Sequence, residues 1–119
     1  MGGTCQLIHV SDRDVKRDIA PADGSKVLDA LSRLPIATWR YQTEQPAVRH
    51  IGPMAQDFRQ AFELGETDRA IAGVDASGVA LVSIQALRKE VLRLERKNAI
   101  LARQLREMRA ALARVHERD

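Results

Sequence analysis

Residues 84–115 read IQALRKEVLRLERKNAILARQLREMRAALARV, and the spacing of their apolar side chains decides the architecture. Ile84, Val91, Asn98, Leu105 and Leu112 occupy one seam position, and Leu87, Leu94, Leu101, Met108 and Val115 occupy the other. The steps alternate between three and four residues without a break. An average spacing of about 3.5 residues winds helices around one another, whereas a lone surface helix carries a wider, less regular stripe. The stretch therefore predicts a coiled-coil stalk, assigned to residues 79–119. A helix over 79–115 would extend about 55 Å, twice the roughly 25–30 Å breadth of a head of this size. No turn residue interrupts it, so it cannot fold back on itself. Its partner must be another chain.

The seam leaves the number of strands open. β-Branched Ile84 and Val91, leucine at the alternate positions and Asn98 in the seam favour a parallel dimer, while Leu105 and Leu112 weaken that preference. Flanking charges do not decide it. Glu90 and Glu95 would meet across the interface as like charges, and Lys97 faces Ala102. Asn98 reads as a register-setting residue whose burial is offset by pairing with its copies. A basic-zipper protein is excluded because residues 70–84 contain no Lys or Arg.

Upstream of the stalk, the chain has room for one modest domain. Of its 119 residues 45% are hydrophobic but only 3% aromatic, so the core must be aliphatic. The formal net charge of +3 is uneven: ten Lys+Arg face five Asp+Glu in residues 85–119. That basic character reads as the solvated face of a long helix, without a nucleic-acid or membrane partner. Cys5 stands alone and can form no intrachain disulfide. No apolar run approaches the roughly 20 residues of a membrane span, and MGGTCQLIHV lacks the pattern of a secretion signal. The expectation is a soluble chain.

Residues 1–10 read as an upstream stub and 11–78 as the head. Gln6–Val10 suggests a strand, and residues 11–20 a turn or short helix. After the turn Pro21-Ala22-Asp23-Gly24, Ser25 is expected to cap a helix that carries Val27, Leu28, Leu31 and Leu34 and stops at Pro35. Ala37, Trp39 and Tyr41 alternate as in a half-buried strand. A second strand, Val48–Ile51, runs into Gly52-Pro53, with Gly52 taken to serve a sharp turn. Pro53 opens a helix bearing Met54, Phe58 and Phe62. Ile71–Val74 reads as a last strand, and Asp75-Ala76-Ser77-Gly78 as the launch of the stalk. The head's core is expected within 39–62, where all four Trp, Tyr and Phe residues lie.

Taken alone, Ser11-x-x-Asp14 is a serviceable helix start with Ser11 as its cap. Four segments in order suggest more. Ser11-Asp12-Arg13-Asp14-Val15-Lys16-Arg17-Asp18-Ile19, Leu34–Tyr41, His50-Ile51-Gly52-Pro53-Met54-Ala55-Gln56-Asp57 and Gly73-Val74-Asp75 before the long helix resemble the C-terminal intramolecular chaperone domain of phage endosialidase tailspikes. Similar domains occur in other tail fibres and in the myelin regulatory factor transcription factors. The resemblance implies a homotrimer that assists folding of an upstream β-rich fibre and then cuts itself free immediately before the motif serine. It implies a serine–lysine dyad of Ser11 and Lys16, with Val10–Ser11 as the scissile bond, making the chain a single-turnover self-cleaving serine peptidase. The compartment is left open, with a bacterial cytoplasm during phage or fibre assembly as the candidate. The trimer is preferred over the dimer because the head also contributes to assembly. The competing reading is a structural trimerisation module without peptidase activity.

A serine hydroxyl needs a base, and a lysine is one only when neutral, so its pKa must fall from about 10.4 through burial or nearby positive charge. Arg13 and Arg17 are close in sequence, and a trimer interface would supply desolvation. In a straight strand Ser11 and Lys16 would lie about 16 Å apart on opposite faces, and on a helix they diverge by about 140°. The dyad thus requires a bend after Ser11 or a lysine from a neighbouring chain. Asp12, His50, Gly52 and Gln56 are candidate supporting residues; by itself His50 reads more readily as structural. With no Cys/His cluster, neither a metal nor a cofactor is expected. The fold class is α+β: a small mixed head followed by a parallel homotrimeric coiled coil.

Overall fold

The computed structural model describes residues 10–118. The proposed strand at Gln6–Val10 lies outside the described residues except for Val10, which has no regular structure. The elements are a 3-10 turn at Arg13–Val15, α1 at Gly24–Arg33, β1 at Ala37–Trp39, β2 at His50–Gly52, α2 at Ala55–Phe62 and α3 at Gly73–Glu117. The chain divides into two compact units, Met1–Ser83 and Ile84–Asp119.

In the first unit, α1 begins one residue before the expected cap. Asp23, not Ser25, is the N-cap, and its Oδ1 accepts the Lys26 amide at 3.1 Å. Aspartate caps as well as serine does, and here it lies one residue before the first helical residue, where its carboxylate reaches the third amide. The last turn gains an ion pair between Arg33 and Asp29 (2.9 Å), and Leu34 ends the helix before Pro35. β1 and β2 form a two-stranded antiparallel sheet with Ala37 opposite Gly52, Thr38 opposite Ile51 and Trp39 opposite His50. β2 starts two residues later than its apolar pattern suggested, because the Val48 amide is spent on the Gln45 carbonyl in a turn. Pro53 likewise stays outside α2, whose N-cap is Met54.

The expected strand at Ile71–Val74 is absent. The Ala72 carbonyl accepts the amides of Asp75 (3.0 Å) and Ala76 (3.2 Å), which starts α3 at Gly73 and takes Asp75–Gly78 into the helix. The core lies where α3 meets the rest of the head. Leu34, Phe58 and Val79 are buried, with Val27, Leu31, Phe62 and Ile71 packed around them. Only Phe58 and Phe62 come from the aromatic stretch 39–62, while Trp39 and Tyr41 join a separate cluster. Burying a large apolar side chain stabilises by about 1.5–3 kcal/mol, so three buried residues make a thin core.

The second unit is the remainder of α3. The helix runs unbroken for 45 residues, as the seam pattern requires of a stalk. Its apolar seam residues are exposed in the single chain, from 38% for Val91 to 69% for Met108. Glu90 pairs with Arg93 on the same helix at 2.6 Å, whereas the Arg103–Glu107 pair is loose at 3.9 Å. Among the described residues no helix is long and apolar enough to cross a membrane.

Candidate functional site

The segment after Val10 supplies the bend that the Ser11–Lys16 pair demands. Asp12 is the N-cap of the 3-10 turn, and its Oδ1 accepts the Asp14 amide at 2.9 Å. Its carbonyl accepts the Val15 amide (3.2 Å), and the Arg13 carbonyl accepts the Lys16 amide (3.3 Å). These bonds reverse the chain within five residues and return the lysine side chain to the serine. Lys16 Nζ donates to Ser11 Oγ at 2.6 Å, within one chain. The capping role considered for Ser11 therefore belongs to Asp12, which leaves the hydroxyl available. Asp18 follows with φ 53, a left-handed conformation that aspartate tolerates better than most residues, and redirects the chain toward Ile19.

The pair stands in the open, since both residues are exposed. The segment from Ser11 to Asp18 carries Arg13, Lys16 and Arg17 against Asp12, Asp14 and Asp18, so its formal charges balance.

His50 is held elsewhere. Its Nε2 lies 2.9 and 2.8 Å from the two carboxylate oxygens of Glu44. Glu44 also accepts the Tyr41 amide at 2.8 Å, and Arg40 donates to the Glu44 carbonyl at 2.9 Å. The His50 hydrogen bond, followed by that of Tyr41, holds the Glu44 carboxyl below its ordinary value. The imidazole sits against Trp39 (ring centroids 5.0 Å) and Tyr41 (5.3 Å), and those two rings meet edge-on at 4.8 Å. Sequence reasoning missed this cluster. Glu44 carries no periodic signal, although its position six residues before His50 across a loop is compatible with pairing. The cluster organises the β1–β2 loop, and His50 makes no hydrogen bond to Ser11 or Lys16 among the described residues.

Gly52 stands directly before Pro53, and its backbone does not require glycine. It ends β2 without a left-handed φ, and a Cβ there would meet nothing within 4 Å. Gln56 is exposed on the first turn of α2. No group of three or more His, Cys, Asp or Glu residues is placed to hold a metal ion among the described residues.

The comparison with protein families bears on this segment. Residues 11–64 match the family model Peptidase_S74, described as chaperone of endosialidase. Over these residues the head is similar to the chaperone-of-endosialidase family. The match opens on Ser11, contains the turn with Lys16, the β1–β2 sheet and α2, and ends at Leu64. Helix α3 lies beyond it. No match was found among curated proteins. The similarity thus rests on the head, and the heptad-patterned helix is a feature of this chain read on its own.

Proposed function

We propose that this chain is an intramolecular chaperone that aligns three copies of an upstream fibre-like client and then releases it by cutting Val10–Ser11. The family match supports the chaperone role. The single observation that carries the cleavage reading is the 2.6 Å approach of Lys16 Nζ to Ser11 Oγ across a turn built for that purpose. Neutral Lys16 takes the hydroxyl proton as Oγ attacks the Val10 carbonyl carbon. The bond from that carbon to the Ser11 nitrogen breaks, the nitrogen takes up the proton, and an ester joins Val10 to Oγ. Water then hydrolyses the ester, giving a Val10 carboxylate and a new amino terminus at Ser11. The amides of Asp14, Val15 and Lys16 are engaged within the turn, so those of Asp12 and Arg13 are the nearby donors for the transient oxyanion.

The trimer supports this chemistry in two ways. The exposed seam of α3 is shielded by sister helices, and assembly removes water from the dyad. Self-association makes scission conditional on a properly assembled client. The test is the mass of the purified chain over time. Loss of residues 1–10, abolished by Ser11→Ala and by Lys16→Ala, supports the reading. An intact chain in an assembled wild type would leave only a structural trimerisation module.

A further inference from the structure

Ser11 Oγ is the atom on which the upstream chain would be carried as an ester, and Lys16 Nζ stands 2.6 Å from it. Among the described residues Lys16 Nζ has no other hydrogen-bond or ion-pair partner. Its position is set from the backbone, where the Arg13 carbonyl accepts the Lys16 amide and Asp12 Oδ1 accepts the Asp14 amide. The His50 ring is committed to Glu44, and no second base is hydrogen-bonded to the pair among the described residues. A water that hydrolyses the ester therefore has only Lys16 to take its proton. The same nitrogen, unprotonated, is itself a nucleophile, and a stronger one toward an ester carbon than water. The ester carbon is one bond from Oγ, which puts it about 3–3.5 Å from an amine so placed, the range of a near-attack arrangement. In the tetrahedral adduct Nζ and Oγ share one carbon, so the two atoms close only slightly from their present separation. Well-oriented intramolecular reactions reach effective concentrations of about 10⁵ M or more, far above that of liquid water.

We propose that Lys16 is an acyl acceptor as well as a base, so that the Ser11 ester divides between release of the upstream segment and its transfer to Lys16. Nζ attacks the Val10 carbonyl carbon, the bond from that carbon to Oγ breaks, and Oγ takes up a proton from the nitrogen. The product holds Val10 in an isopeptide bond to Nζ, with the Ser11 hydroxyl restored and the Ser11 α-amine free. The proton removed by Lys16 in the first step has already left with the Ser11 nitrogen, so the amine is neutral again when the ester stands beside it. No water and no second substrate is consumed, and the branched product has the mass of the uncut chain. This tethering rests on the cleavage reading, because it starts from the ester that cleavage forms. It leaves a client that is cut from the backbone yet still joined to its chaperone through a side chain.

Trypsin digestion of the incubated full chain, read by mass spectrometry, separates the three fates. Uncut chain gives the peptide 1–13, and released chain gives 1–10 and 11–13. Transferred chain gives 11–13 together with residues 14–17 carrying 1–10 on Lys16, where trypsin no longer cuts. The branched peptide is expected from at least about a tenth of the cut chains. Hydroxylamine captures the ester as a Val10 hydroxamate and should lower the branched peptide about twofold or more, and Ser11→Ala should abolish it. Release of 1–10 as acid or hydroxamate with no branched peptide would overturn the transfer and leave the cleavage reading standing. Peptide 1–13 alone, with and without hydroxylamine, would overturn both. A branched peptide that persists in Ser11→Ala, or that hydroxylamine does not diminish, would overturn the route through Oγ.

Discussion

Asp12 does the decisive work at the residue scale, although Ser11 and Lys16 carry the proposed chemistry. Its carboxylate and carbonyl hold the first two bonds of the turn that makes the pair. Loss of an N-cap costs about 1 kcal/mol, which reduces the closed turn about fivefold if that turn is in rapid balance with an open one. Asp12→Ala should therefore slow cleavage about fivefold or more, measured as the rate at which residues 1–10 are lost. Asp12→Asn keeps an oxygen acceptor at the same atom and should stay within about twofold of wild type, since asparagine caps as well as aspartate. Equal losses in both variants would mean that the charge of Asp12 matters and its cap does not. The bend was legible from Ser11 and Lys16, because a five-residue separation cannot bring two side chains together on a straight strand or a helix. Which residue makes the bend was not legible: Ser11 and Asp12 are both competent caps, and only the fold assigns the role.

The β1–β2 loop and the end of α2 give tests at the scale of elements. Glu44 gathers the Tyr41 amide and the His50 ring, and both bonds favour its charged form. Its folded-state pKa lies below the ordinary 4.5, so the loop's stabilisation is fully present above that value and is lost as pH falls below it. The Tyr41 amide resonance should titrate with a midpoint below 4.5, and Glu44→Gln should abolish the titration. A midpoint at or above 4.5 would mean that the carboxylate is not held as described. At the other end of the sheet-to-helix unit, Glu63 caps α2 in a left-handed conformation, φ 54, while donating its amide to the Arg59 carbonyl at 2.9 Å. A side chain in that conformation costs up to about 1 kcal/mol more than glycine, so Glu63→Gly should raise the denaturant midpoint by a matching amount. Both strands and both short helices of the head were anticipated from apolar spacing and from Pro35, yet β2 and α2 are displaced by two residues. Boundaries were decided by turn bonds at Gln45–Val48 and by a cap at Met54, which leave no periodic trace. Ile71–Val74 failed for another reason: a short apolar run fits a buried helix start as well as a strand, and among the described residues no third strand is available to pair with it.

At the scale of the molecule, two features ask for the same completion: the thin core of the head and the exposed seam of α3. Leu34, Phe58 and Val79 are the only buried hydrophobic residues among those described, while nine seam side chains from Ile84 to Val115 meet solvent. On the proposed function sister chains supply what each lacks, and the Ser11–Lys16 pair makes that completion chemically consequential. Ser11 and Lys16 already touch in the single chain, so on the cleavage reading their contact does not wait for assembly and the exclusion of water does. On the proposed mechanism, burial against neighbouring copies is what favours an uncharged amine able to accept the serine proton. Cleavage should then follow assembly: Leu94→Lys together with Leu101→Lys puts charges into the seam and should leave a folded head that cuts at least tenfold more slowly. Dilution of wild type below its dissociation constant should slow cleavage in the same way, and mixing the seam variant with Ser11→Ala should not restore it. A monomeric seam variant that cuts at the wild-type rate would show that the turn is sufficient by itself, and would move control of the reaction from the interface to the five residues after Val10.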